Sequence, residues 1–318
     1  MKRVRPFQFL VGVRGIVDRP SLIAGARTAE SMGYSGLTIH DHLTEQLAPV
    51  PVLTAVAMAT ERLRLYPLVF NNDLRHPAVL AQEIATLDRL SDGRVVVGIG
   101  AGWNELEYHA TGIPFDPPGR RIDRMEEAIA ILRGLLGTGP VTFRGRYYMI
   151  EVMEGQPKPV QQPHPPFLIG GTRERVLRLA AREADIVGLD LRQDRDSLPD
   201  AFPERMDVRT AWVREAAGAR FETLDLSVLR LLGDLTITDA PLKAAAEVAH
   251  RYEERTGLVV RAADILESPY SLIGTVADLV AKLRLGRERW GINSFLVGWL
   301  DEPTLGDFAP VVEQLAGT

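Results

Sequence analysis

The chain contains no cysteine. That absence excludes a disulfide framework, a thiolate metal site and a cysteine nucleophile, so the chemistry rests on other side chains or on a cofactor. Lysine is scarce as well: of 37 basic residues only Lys2, Lys158, Lys243 and Lys282 are lysines. A site for a substrate phosphate would therefore rest on arginine, and no matched set stands out. No apolar run approaches the ~18 residues of a membrane span. Positive charge is not in excess either, since the net charge is −5. Such a balance gives no electrostatic footprint for nucleic acid and favours a small-molecule ligand. The opening MKRVR and FQFLVGV imitate a secretion signal, but Arg14 follows closely and no small-residue cleavage site is evident. Cytoplasmic residence is the expectation.

What is present is a globular composition, 46% hydrophobic and 25% charged, over 318 residues. That length suits one (β/α)8 barrel of about 250 residues plus insertions, so a single domain over residues 1–318 is expected. The stretch from Arg75 to Trp103, RHPAVLAQEIATLDRLSDGRVVVGIGAGW, shows the repeating unit. Pro77 suits a first helical position, Leu80, Ile84 and Leu87 share a face, and Gly93 stops the helix. Val95 to Ile99 then reads as a parallel strand covered on both faces. It ends in Gly100-Ala101-Gly102, where backbone lacking side chains can approach a ligand.

The same alternation runs through the chain. Strands are expected at 7–13, 36–39, 64–70, 94–99, 167–169, 185–188, 226–232 and 294–297. Helices are expected near 20–32, 51–61, 77–90, 119–136, 172–183, 203–217, 241–256 and 275–289, with a last one from about 304. Eight such pairs close naturally into an α/β (β/α)8 barrel, because right-handed units wind one way and closure removes both edges. A doubly wound open sheet competes, but nothing in the order suggests a reversal of direction. Two insertions interrupt the pattern: a β-hairpin over 141–150 before strand 5, and a polar loop over 191–203 after strand 6 that reads as a flap.

Candidate site residues gather at expected strand ends, where barrels carry their chemistry. His40-Asp41-His42 follows strand 2, and two-residue alternation puts both histidines on one side and Asp41 on the other. A His-x-His pair can begin a metal site, but the remaining histidines do not supply further ligands, so no metal is expected. His42 can instead face a cofactor ring as acid, base or donor, or be a packed rim residue beside a capping Asp41. Asn71-Asn72-Asp73 after strand 3 offers ligand contacts or a turn. Gly170-Gly171-Thr172-Arg173 opens a helix whose N–H groups can receive an anion, unless it is only a tight turn. Thr275 reads as an N-cap.

The Arg75–Trp103 stretch, with AESMGYSGLTIHDH before it and PPFLIGGTRERVLRLAAREAD and IGTVADLVAKLRLGRERWGINSF after it, closely resembles the bacterial luciferase-like oxidoreductases. That resemblance implies a (β/α)8 barrel binding a flavin or the deazaflavin coenzyme F420, often as a homodimer. The run from Asn71 to Pro77 looks most like the deazaflavin branch. By the same resemblance, His42 is the catalytic residue near the reactive ring carbon, and Leu68-Val69 is a strand 3 bulge with a non-proline cis peptide in many relatives. Asp41, Asn71 and Gly100 are expected cofactor neighbours, and Gly170, Gly171, Thr172 and Arg173 receive the cofactor phosphate. In a sugar-phosphate dehydrogenase of that branch an acid stands where this chain has Trp103, and a tryptophan where it has polar residues around Gln46. These two positions are expected to line the substrate pocket, and the departures argue against a sugar phosphate. The implied activity is F420-dependent hydride transfer to or from a small organic substrate. The alternatives are an FMN-dependent monooxygenase served by a separate flavin reductase, and a non-catalytic flavin-binding protein.

Overall fold

The structure is a computed structural model that describes residues 5–191, 201–233, 235–300 and 303–318. The first half of the chain runs β1 (Gln8–Val13), α1 (Arg19–Ser31), β2 (Gly36–Ile39), α2 (Pro49–Ala57), β3 (Arg64–Pro67), β4 (Phe70–Asn71), α3 (Pro77–Leu90), β5 (Val97–Gly100), α4 (Glu105–Thr111) and α5 (Pro118–Leu136). The hairpin strands β6 (Pro140–Arg144) and β7 (Met149–Glu154) follow, then β8 (Phe167–Gly171), α6 (Glu174–Glu183), β9 (Ile186–Leu189), α7 (Pro203–Ala217) and β10 (Asp225–Val228). The chain ends with β11 (Thr236–Ile237), α8 (Pro241–Thr256), α9 (Ala262–Glu267), β12 (Ile273–Gly274), α10 (Val276–Trp290), β13 (Ile292–Trp299) and α11 (Thr304–Leu315). Two compact units are defined by their internal contacts: Met1–Gly12, Thr28–Gly36 and Gly170–Thr318 form one, and Val13–Arg27 and Leu37–Ile169 the other.

In the unit built on Leu37–Ile169, β5 lies between β4 and β8, with Phe70 opposite Ile99, Asn71 opposite Gly100, and Val97 opposite Phe167, all parallel. Helix α3 forms for the reasons its letters give. Pro77 occupies the first turn, the His76 ring accepts from the Ala78 N–H, and Leu80, Ala81, Ile84 and Leu87 are buried. Each such large aliphatic side chain contributes about 1.5–3 kcal/mol on burial. The buried Asp88 at its end accepts from the Val160 and Gln161 N–H groups and the Gln161 side chain, tying the proline-rich link to the helix. The hairpin β6–β7 is antiparallel and reaches Glu154, beyond the expected end at 150.

The other unit carries a four-stranded parallel run, β1 beside β13, β13 beside β10, and β10 beside β9. Its buried strand residues are mostly Val, Leu, Ile and Phe, as expected for parallel strands covered on both sides, and the buried Ser227, Asn293 and Ser294 among them are hydrogen-bonded. The Thr275 N-cap is realised as a capping box with Asp278.

The differences from expectation have physical reasons. Strand 3 is split into β3 and β4 at a cis Leu68–Val69 peptide, as the resemblance implied for this position. The apolar run 226–232 stops being a strand at Val228: the Leu229 N–H makes a last bond to the Leu189 carbonyl, and beyond it Leu231 and Leu232 are buried outside the ladder, with the Leu232 N–H donating to the Tyr270 carbonyl. Helices α4 and α9 lie outside the expected helical ranges. Most of the anticipated flap, residues 192–200, lies outside the described residues.

Candidate active site

Strand β2 delivers the two histidines. Their rings stack with centroids 6.0 Å apart and planes 26° from parallel, while Asp41 turns the opposite way, so alternation holds past the strand's end at Ile39. Among the described residues no group of three His, Asp or Glu side chains is placed to hold a metal ion.

His42 is gripped by a residue that sequence reading missed, Glu107 of α4. Its Nδ1 lies 3.1 Å from Glu107 Oε2, its hydrogen-bond partner, and 2.9 Å from Oε1. The carboxylate side chain is 5% exposed and the imidazole 22%. Trp103 stands perpendicular to the imidazole at 5.5 Å and is itself 63% exposed, an unusual exposure for so large an apolar group. The missed signal was Asn104-Glu105-Leu106-Glu107, the spacing of a capping box, with Gly112 ending the turn. Glu107 occupies the box position but points at His42, and the side chain of the N-cap residue Asn104 makes no cap bond.

Asp41 is tied into the protein. Arg75 reaches both of its oxygens, at 2.5 and 3.1 Å, and the Asn71 N–H donates to it at 3.0 Å. Through these bonds the strand 2 rim is braced to β4. Asn71 Oδ1 in turn accepts from the Asp73 N–H, and the Tyr108 hydroxyl lies 3.0 Å from it. Asp73 does more than make a turn: Arg124 binds it with two bonds of 2.7 Å, and Tyr108 donates at 2.9 Å. Burial, and then the Asp73 charge, push the Tyr108 hydroxyl far up, so it is a proton donor and never a base at ordinary pH. Bonds from Arg124 and Arg120 hold the Asp116 carboxyl below its usual range. Gln46 bends back to donate to the His40 carbonyl at 2.7 Å.

The glycine turn after β5 serves the protein's own packing. A Cβ on Gly100 would come within 2.6 Å of Val69 Cγ2, so the glycine admits the strand 3 bulge. Gly102 has φ +74°, and a Cβ there would collide with the Tyr108 hydroxyl. The expectation that Gly100-Ala101-Gly102 is bare backbone is thus refined: Val69, half-buried beside the buried Leu68, packs over Gly100.

In the other unit, Gly170 and Gly171 close β8 and Thr172-Arg173 lead into α6. Gly171 leaves room for Val176, whose Cγ1 would lie 2.5 Å from a Cβ. The N-cap residue Arg173 makes no side-chain cap bond, and this start of α6, with Thr172, is the phosphate seat expected from the sequence.

The luciferase-like monooxygenase family matches residues 12–252, and the chain belongs to that family. An F420-dependent glucose-6-phosphate dehydrogenase of Microbacterium testaceum is 34% identical over 165 residues, covering 49% of this chain and 48% of that protein. An FMNH(2)-dependent dimethylsulfone monooxygenase of Pseudomonas putida is 30% identical over 153 residues, covering 48% and 40%. The matches span about half the length of these curated relatives. The coenzyme F420-dependent tetrahydromethanopterin reductase of Methanopyrus kandleri superposes with a TM-score of 0.76 at 21% identity, covering 98% of this chain and 99% of that one. The shared fold is the α/β barrel type expected from the sequence.

Proposed function

We propose that the protein is an oxidoreductase that passes a hydride between coenzyme F420 and a small organic substrate. The observation that carries this reading is His42 at the strand 2 rim, held through Nδ1 by a buried carboxylate while, among the described residues, Nε2 makes no hydrogen bond. Hydride chemistry at a carbon–oxygen bond needs such a proton partner. The bound deazaflavin supplies the hydride site at one ring carbon. Everything else falls to the chain. Leu68, Val69, Asn71 and Gly100 are the proposed ring-side residues, and Asp41 acts by bracing Asn71. Gly170, Gly171, Thr172 and Arg173 are the proposed phosphate seat. Trp103 offers the substrate an apolar wall, which favours an uncharged molecule over a sugar phosphate, and Gln46 orders the neighbouring loop. A homodimer is the proposed working assembly.

A second reading, an FMN-dependent monooxygenase fed by a separate reductase, draws on the dimethylsulfone monooxygenase, which matches a comparable share of the chain. Paired titration with deazaflavin and FMN, with oxygen uptake from reduced FMN, separates the two.

A further inference from the structure

We infer that Glu107 is the positioning residue of His42: its carboxylate accepts the Nδ1–H and thereby fixes the ring in the tautomer that presents the Nε2 lone pair to a molecule bound at the rim. The inference rests on the reading of His42 as the residue that exchanges a proton, and it adds which nitrogen does so and why.

The chemistry of the pair decides the tautomer. An ionised carboxylate only accepts hydrogen bonds, so the nitrogen 3.1 and 2.9 Å from its two oxygens must carry a hydrogen. In the neutral ring the second nitrogen, Nε2, is then bare and able to take a proton; in the cation it is able to give one. Free imidazole side chains favour the opposite arrangement, so the protein has to impose this one.

Burial explains why Glu107 is committed to the task. A carboxylate removed from water is costly unless it is paired, and among the described residues the Glu107 side chain has no hydrogen-bond partner except His42. The sequence offers it an easier bond, back to the N–H of Asn104 as a capping box, and the structure shows that bond unmade. Trp103 stands across the ring at 84° and His40 stacks beside it, and turning the imidazole over, which leaves its outline nearly unchanged, would cost the bond to Glu107.

Nitrogen-15 NMR of the imidazoles reads the tautomer directly, without substrate or cofactor. The chain has six histidines, and the His42 signals are assigned by their loss in His42→Ala. At a pH where the ring is neutral, the wild type shows the Nδ1–H form. Glu107→Gln, which keeps the shape and an acceptor oxygen, retains that form. Glu107→Leu shifts the ring to the Nε2–H form and lowers the rate of hydride transfer by at least about tenfold, with cofactor affinity unchanged, as expected when a histidine's orienting acid is lost. An Nε2–H ring in the wild type, or an unaltered tautomer in a folded Glu107→Leu protein, overturns the inference. If the leucine variant fails to fold, the wild-type tautomer alone decides. Absence of both deazaflavin and FMN binding, with the Nδ1–H form present, removes the oxidoreductase reading and leaves the Glu107 assignment standing.

Discussion

His42 and Asp41 are neighbours with opposite work. Among the described residues His42 bonds through Nδ1 alone, whereas both Asp41 oxygens are engaged by Arg75 and Asn71. His42→Ala is therefore expected to lower kcat by about 100-fold or more while deazaflavin affinity changes little; single-turnover hydride transfer and fluorescence titration measure the two separately. Asp41→Ala leaves the Arg75 guanidinium, 21% exposed, with Glu83 at 3.5 Å as its remaining carboxylate, and is expected to destabilise the fold by roughly 1.5–3 kcal/mol in urea unfolding. A variant as stable as the wild type would show that the brace is dispensable. Sequence alternation put the two residues on opposite sides, but it carried no information on Arg75, which lies 34 positions away.

At the scale of elements, the strand 3 bulge and strand 4 fit by way of a glycine. Gly100→Ala forces a methyl group toward Val69 Cγ2 at 2.6 Å, so the bulge must shift. The expected loss is about 1–3 kcal/mol, read as a lowered Tm, together with weaker cofactor binding if Leu68 and Val69 back the ring. Elements with strong local signals were legible in the sequence: α3 has its proline start, apolar stripe and glycine stop, and β5 its uninterrupted apolar letters. What escaped were elements whose signal is short or ambiguous. Helix α4 spans only Glu105–Thr111, and its Asn-x-x-Glu spacing is a weak cue. Leu229 to Leu232 looked like strand because burial and strand pairing leave the same apolar letters. Of the His42–Glu107 pair the histidine was legible and the acid was not, because a contact 65 positions apart leaves no local trace.

At the scale of the whole molecule, stability and cofactor choice are the properties to test. No helix among the described residues is long and apolar enough to cross a membrane. Lys282 of α10 donates to the Leu266 carbonyl at 2.6 Å, and burial pushes its ammonium down to about 8, with the Glu267 charge opposing the shift. Its folded value lies below its unfolded one, so the unfolded chain binds more protons between pH 8 and about 10.5, and stability from this group rises with pH across that window. The wild type is expected to gain on the order of 1–3 kcal/mol relative to Lys282→Met from pH 8 to 10, as measured by denaturant midpoints. A constant difference would mean that the amine is not desolvated. Both F420-dependent and FMN-dependent proteins are among the relatives, each matched over about half of this chain, so family membership alone leaves the cofactor open. The most direct test of the central claim is a parallel fluorescence titration of the purified protein with coenzyme F420 and with FMN. The account predicts saturable deazaflavin binding that excess FMN does not displace. Micromolar FMN binding with no deazaflavin binding would contradict it.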